Sequence, residues 1–480
     1  MGRLRTMAMS LCLGVTGFGS PVSAQDAPLL RPAEVWTGDF DLMLERRAIR
    51  VLVPNSRTLY FNDKGQDRGL SAENVHEFEL FLNQKYRSKL RGRPLTVTII
   101  PTPRDQLLVR VREGYGDLGV GALTITEQRL EEVDFVAPPE LVNISELAIT
   151  NRDKPPLSSP YELSGREIYV RVSSSYHESL QAWNDTLAGM GLAPVNIIAV
   201  SEYLEDEDLM EMVDAGIIPV IIVDSWKARM WAPILPRLRI NEDVAVRASG
   251  DLGWALRKES PRLTAELKEF FNKFQKERGS IPYRFARYSK QVKYLQDPTG
   301  RQDWKHFEQM KTLFETYGQK YGFDPLMLVA QGFQESRLDQ DARSHVGAVG
   351  VMQVMPATGA SMEVGDITVT EPNIHAGAKY MNTILSNYFE DASFDEFNRT
   401  LFAFAAYNAG PNRIARLRKL APDRGLDPNV WFDNVEIIVS EKIGRETTTY
   451  VRNILKYYTS YKLTLELQGA AEEARESFGP

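Results

Sequence analysis

The sequence predicts a multidomain chain in which a two-lobed α/β module is followed by an all-α-dominated domain. Three observations carry that reading. The chain has 480 residues, enough for roughly three compact units at about 100–200 residues each. Up to about residue 285, short apolar strand-like runs alternate with segments of helical spacing, the layout of an α/β sheet. From about residue 301 onward only helical periodicity remains.

The first element to account for is an address rather than a fold. Arg3 and Arg5 precede an apolar stretch from Met7 to Phe18, and Val22-Ser23-Ala24 offers small residues before Gln25, so residues 1–24 are expected to be an export signal. The stretch is shorter than the roughly 20 residues that span a bilayer. Cys12, the only cysteine, lies inside it, so the mature chain is expected to form no disulfide; Leu11 before it argues against lipidation. The expected location is periplasmic, with any association with the outer membrane peripheral.

Residues 25–45 read as a lead-in. The module follows over 46–285, with strands expected at 50–54, 95–100 and 117–122 and helices at 73–83 and 106–113. A second set repeats the pattern: strands at 167–172, 196–200 and 217–223, and helices at 178–190 and 205–215. A strand at 251–256 and a helix facing inward through Leu263, Leu267, Phe270, Phe271 and Phe274 close it. These patterns assign lobe one to about 46–150 and 240–285, and lobe two to about 155–235. Residues 286–300, ending in Asp297-Pro298-Thr299-Gly300, read as a linker. Helices are expected at 304–321, 325–335, 374–389, 395–408 and 450–465 within a domain of 301–465, followed by a tail, 466–480.

The composition, 43% hydrophobic and 25% charged, excludes a disordered or fibrous chain, and a net charge of -7 offers nucleic acid no general attraction. The five histidines, His76, His177, His306, His345 and His375, have no paired metal-ligand spacing, and no glycine-rich phosphate loop follows a strand. No cofactor or metal is expected.

Chemistry concentrates near Glu335. Asp324-Pro325 is a helix start, with an N-cap acid and proline at the first helical position. Glu335 then falls in the last turn, at the negative end of the helix dipole, where burial against Leu326, Val329, Ala330 and Phe333 would push its carboxyl toward the protonated form. A protonated carboxyl can act as a general acid on a glycosidic oxygen. A glutamate late in a helix is ordinarily a solvated residue; what sets this one apart is company. Gln334-Glu335-Ser336 is followed by Gly347-Ala348-Val349-Gly350-Val351-Met352-Gln353-Val354-Met355-Pro356. Ala405-Ala406-Tyr407-Asn408-Ala409-Gly410 and Glu446-Thr447-Thr448-Thr449-Tyr450-Val451 come after it in order.

Together these four motifs resemble the lysozyme-like domain of the soluble lytic transglycosylase family, over about residues 305–465. The resemblance implies one catalytic residue, Glu335, serving first as acid and then as base on peptidoglycan glycan strands. It also implies that Ser336, Met352 and Gln353 line the cleft, that Tyr407 and Asn408 orient substrate, and that Glu446 and Tyr450 support the site. Met352 as a filler of a core gap and Tyr450 as a packed aromatic are the plainer readings. The family's Gly-Leu-Met-Gln stands here as Gly350-Val351-Met352-Gln353. Asp339 and Asp341, the nearest acids in sequence, fall past the helix and in no family motif; the resemblance implies one acid only, and with it a reaction that consumes no water and leaves 1,6-anhydro-MurNAc ends. The alternatives are a hydrolytic muramidase, or a solute receptor with an inactive wall-binding domain. The basic cluster Arg413, Arg416, Arg418 and Lys419 could meet wall-peptide carboxylates or be a solvated face.

In the module, Gly121 to Arg129 and Val133 to Pro139 resemble the periplasmic solute-binding proteins for amino acids. That likeness implies that Arg129, with Thr124, grips a ligand carboxylate and that Asp224 meets its amino group. Ser173-Ser174-Ser175-Tyr176 replaces the family's Gly-Thr, making Ser175 the lobe-two contact. An amino acid or muropeptide is the expected ligand, and lobe closure upon it is expected to act on the catalytic cleft. The plainer reading pairs Arg129 with Glu131 or Glu132.

Overall fold

The computed structural model describes residues 34–274 and 301–478. The expected signal, 1–24, and linker, 286–300, lie outside the described residues. The lead-in contains a helix, Phe40–Arg46, because Asp39 caps it: its carboxylate accepts from the Phe40 N–H at 2.7 Å and also from the N–H groups of Leu263 and Arg262 at 2.9 and 2.8 Å. One side chain thus starts two helices and ties the beginning of the module to its end.

Twelve strands are described: β1 Ala48–Val53, β2 Phe61–Asp63, β3 Gln66–Arg68, β4 Thr96–Pro101, β5 Leu118–Thr124, β6 Asp134–Val136, β7 Ile144–Asn151, β8 Glu167–Val170, β9 Asn196–Ala199, β10 Val220–Asp224, β11 Leu238–Gly250 and β12 Leu252–Leu256. Lobe one is the sheet β4-β1-β5-β12-β6 and lobe two the sheet β11-β7-β10-β8-β9. Within each, the βαβ units pair in parallel, as β1 does with β4 and β8 with β9, while the strands that cross between lobes pair antiparallel.

The lobe limits differ from those drawn from sequence. Both β7 and β11 belong to lobe two, so the chain crosses near 137–143 and returns at about 251, not at 150 and 240. β11 was invisible to periodicity for a physical reason: it is an edge strand with register shifts against β7 and a half-exposed burial pattern, so no continuous apolar run marks it.

The helical domain wraps the helix Pro325–Ser336, whose residues Met327 to Phe333 are all buried. The helices Arg301–Tyr321 and Glu446–Phe478 flank it. Gly332 permits this closeness, since a Cβ there would stand 3.1–3.2 Å from Leu338, Phe314 and Val351. Glu446–Phe478, the closing helix, starts before and runs beyond the expected 450–465, through much of the expected tail.

Lobe two and the helical domain share one hydrophobic cluster, with Tyr203 stacked on Phe432 at 4.7 Å between ring centroids. Beside it lies a buried charge cluster. From the closing helix, the Lys456 ammonium reaches Glu211 at 2.6 Å and Asp208 at 2.8 Å; from lobe one, Arg57 reaches the same two acids at 2.7 and 3.0 Å. Burial would raise the Asp208 carboxyl, but Lys456, Arg57 and Arg452 outweigh it and hold it well below its ordinary range. The helix Asp206–Ala215, which carries both acids, therefore joins three parts of the chain. Removing one partner of a buried ion pair strands the other and costs about 3–5 kcal/mol. Lys456→Met is expected to lower unfolding stability in urea by an amount of that order; a loss below about 1 kcal/mol would show that this cluster does not hold the parts together.

Candidate active site and ligand cleft

Local structure delivers Glu335 as the sequence predicts. Asp324 caps the Pro325–Ser336 helix by accepting from the Leu326 N–H at 2.8 Å, and its other oxygen accepts from the Tyr458 hydroxyl of the closing helix at 3.1 Å. Arg337, in the left-handed conformation, ends the helix one residue after Ser336. Glu335 is thus fixed at a helix end whose far terminus is tied to the closing helix.

The decisive contact comes from that same closing helix. The Tyr450 hydroxyl donates to Glu335 Oε1 at 2.6 Å. Burial raises the Glu335 carboxyl to about 7, and the Tyr450 hydrogen bond, which favours the charged form, pulls the other way. Burial, with the neighbouring carboxyl, also pushes the Tyr450 phenol well above its ordinary value, so it stays a donor. Among the described residues no second carboxylate shifts Glu335.

The other candidates divide. Ser336 is half-buried, its hydroxyl donating to Val351 O at 2.9 Å, and thereby holds the Gly350–Gln353 loop against the acid's helix. The Tyr407 hydroxyl donates to Met352 O at 2.7 Å, and the charge of Glu335 reaches its ring. Gln353 has a positive φ of 47°, and its amide donates back to Gly350 O at 2.9 Å. Met352 does not line a cleft: its side chain is 0% exposed and packs on Gly377, where a Cβ would stand 2.8 Å from it, so it fills the core gap. Asn408 is exposed and accepts from the Thr447 hydroxyl at 2.9 Å. Glu446 is exposed at the first residue of the closing helix, one turn before Tyr450, where the helix dipole favours its charge. In the basic cluster, Arg418 is buried, bonded to Asp391 and Asn429, and is unavailable to a wall peptide.

Between the lobes lies a cavity of about 370 Å³ whose lining includes Thr124, Arg129, Ser175 and Glu178. Thr124 and Ser175 meet across the lobes, their hydroxyl oxygens 2.9 Å apart. Arg129 pairs with neither Glu131 nor Glu132. It bridges the lobes instead, donating to Thr124 O at 3.1 Å, to Ser173 O at 3.2 Å and to Glu178 Oε1 at 3.1 Å. Asp224 is not brought to the cavity. It sits at the buried end of β10, 2% exposed, with its carboxyl raised to about 7 by burial and one oxygen unpaired. The expectation that Asp224 meets a ligand amino group is not met by the cavity lining, which includes Tyr176, whose hydroxyl accepts from the Asp224 N–H at 3.2 Å, but not Asp224.

Residues 312–428 match the transglycosylase SLT domain, and residues 53–281 match the bacterial extracellular solute-binding proteins, family 3. The two matches fall on the helical domain and on the two-lobed module, and relatives align over most of the chain. A membrane-bound lytic murein transglycosylase F from Desulfosudis oleivorans is 29% identical over 379 residues, covering 75% of this chain and 80% of that protein. One from Pseudomonas putida is 28% identical over 433 residues, covering 86% and 84%. Among solved structures, holo ArgBP from T. maritima aligns at 18% identity over 52% of this chain and 98% of that one, with a TM-score of 0.39.

The SLT match contains Glu335, Ser336, Gln353, Tyr407 and Asn408 but stops before Tyr450, so the contact that orients the acid is a finding of the fold. Sequence reasoning missed two buried amides in the SLT domain. Asn373 accepts from the Met352 N–H at 2.8 Å and donates to Val349 O and Ile367 O at 2.8 and 2.9 Å, pinning the loop under the site; nothing around it in sequence marks it. Gln331 could have been noticed, since it is the one polar residue in the stretch from Pro325 to Phe333, one turn before Glu335.

Because the folded carboxyl titrates near 7 and an unfolded one near 4.5, the native state binds the extra proton between those values, and stability falls as pH rises through them. Glu335→Gln removes that penalty. The variant is expected to be more stable than the parent at pH 8 by roughly 1–3 kcal/mol, with the difference vanishing by about pH 4. Thermal unfolding across pH measures it, and equal stability at pH 8 would mean that the carboxyl is not held neutral by its surroundings.

Proposed function

We propose that this chain is a peptidoglycan lytic transglycosylase that cuts the β-1,4 bond between MurNAc and GlcNAc through Glu335. One observation carries the reading: a carboxyl raised to about 7 by burial and hydrogen-bonded by Tyr450, with no second carboxylate hydrogen-bonded to it or shifting it among the described residues. A hydrolase of the two-carboxylate type places its second acid about 5–9.5 Å away as nucleophile or base. Without one, the protonated Glu335 gives its proton to the glycosidic oxygen as the C1–O bond breaks and the GlcNAc end leaves as an alcohol. The resulting carboxylate takes the proton from the C6 hydroxyl of the same MurNAc, and O6 closes onto C1. Glu335 ends protonated, as it began, and water is not consumed.

Digestion of purified sacculi followed by mass spectrometry tests this. The new ends are expected as 1,6-anhydro-MurNAc, each one water lighter than a hydrolysed end, and Glu335→Gln is expected to lose at least about a hundredfold in turnover. Reducing MurNAc ends would make the enzyme a muramidase, and an unaffected amide variant would remove Glu335 from the reaction.

The substrate places this activity in the periplasm after export, and the association with the outer membrane that we propose is peripheral. No helix among the described residues is long and apolar enough to cross a membrane.

The solute-binding module regulates the SLT domain in this reading. What supports it is the closing helix, which holds Tyr450 on the acid while Arg452 and Lys456 engage the lobe-two helix Asp206–Ala215. A ligand carboxylate would compete with Glu178 for Arg129 in the interlobe cavity. Calorimetry with free amino acids and muropeptides is expected to show heat with at least one of them, lost in Arg129→Ala; no heat with any would sink the sensor role.

A further inference from the structure

The helix that carries Glu335 has a second polar side chain on its buried face. Gln331 stands four residues earlier, on the same side of the helix, and is 0% exposed. A primary amide in such a place is costly unless its groups are used. Its Nε2 donates to the Tyr450 hydroxyl oxygen at 3.4 Å, and its Oε1 has no hydrogen-bond partner among the described residues. Its one described hydrogen bond goes to the tyrosine that touches the acid.

A phenol has one proton to donate and lone pairs to accept with. When Gln331 donates into a lone pair of Tyr450, the phenol's proton is left to face Glu335 Oε1, which it does at 2.6 Å. Donation into an oxygen also polarises it and strengthens the next donation along the chain. Once Oε1 is occupied as an acceptor, a proton on the carboxyl sits on Oε2. That oxygen has no hydrogen-bond partner in the protein among the described residues and is not among the sealed, unpaired atoms. It is the atom left open to a sugar oxygen.

We propose that Gln331 is a positioning residue for the acid, acting through Tyr450 to hold the phenol's proton on Glu335 Oε1 and so to keep the transferable proton on Oε2. The proposal rests on the reading of Glu335 as the acid. Its sign is fixed by chemistry. The first step needs Glu335 protonated, so kcat/KM falls as pH rises through the pKa of that group. A donor to the carboxylate lowers that pKa, and losing the donor moves the fall to higher pH.

The test measures kcat/KM against pH on soluble glycan strands for the full chain, Tyr450→Phe, Gln331→Leu and the double variant, with melting temperatures for each. Tyr450→Phe is expected to move the basic limb upward by roughly one pH unit. Gln331→Leu should move it in the same direction by less, as its longer contact implies, and should add nothing once Tyr450 is Phe. Gln331→Met, which keeps the volume and lacks the amide, stands in if the leucine variant does not fold. A limb that stays in place while only melting temperature falls would reduce Gln331 to packing and overturn the proposal. An equal shift in the Tyr450→Phe background would show that it does not act through the tyrosine. Titration of the Glu335 carboxyl by carbon-13 NMR, identified by its loss in Glu335→Gln, reads the same order of midpoints without turnover. If the chain cut no glycan, the activity reading would fall while these midpoints still decided the relay.

Discussion

The hydrogen bond between Tyr450 and Glu335 joins residues 115 positions apart, and the SLT domain is built so that they can meet. Tyr450 belongs to the closing helix and Glu335 to the buried central one, and a second bond, from Tyr458 to Asp324, ties the other end of the central helix to the same partner. Between those two ties the helices pack along their length, with Phe333 edge-on to Tyr457 at 4.8 Å. Two anchors on one pair of helices restrict sliding and rotation together, which is what a proton donor with a sub-ångström tolerance requires.

The closing helix has a second obligation. Within two residues of Tyr450 it presents Arg452, which bonds Glu436 at 3.2 Å and faces Asp208, and one turn later Lys456 enters the acids of lobe two. A rigid element biased by both a distant lobe and the acid is the physical requirement for coupling between sites. Lobe two and the SLT domain share a continuous hydrophobic cluster, while lobe one keeps a core of its own and meets the SLT domain through polar contacts such as Asn55 with Glu436 and Ser440 with Asn62 O.

Much of this was legible in the residues. Asp324-Pro325 and the end near Ser336 bounded the acid's helix to within one residue, and apolar runs located most strands of the two sheets, though not β6 or β7, because buried parallel strands are nearly uniform in hydrophobicity. What escaped was whatever depended on the far side of a contact. Met352 sits in a motif but turns its side chain to Gly377; Asp224 sits at a strand end but behind the cavity; β11 is an edge strand with no apolar signature. Gln331 carried a signal, a polar residue on a buried stripe, yet its meaning required the position of a tyrosine more than a hundred residues away.

Burial makes the acid and also weakens the fold at neutral pH, a tension expected where a carboxyl must be kept neutral for work. The central claim is that this one carboxyl serves as acid and then as base, with the sugar's own hydroxyl in place of water. Cutting sacculi in water enriched in oxygen-18 addresses it at the bond concerned: the account predicts no label at the newly formed MurNAc ends, and label at C1 of those ends would contradict it.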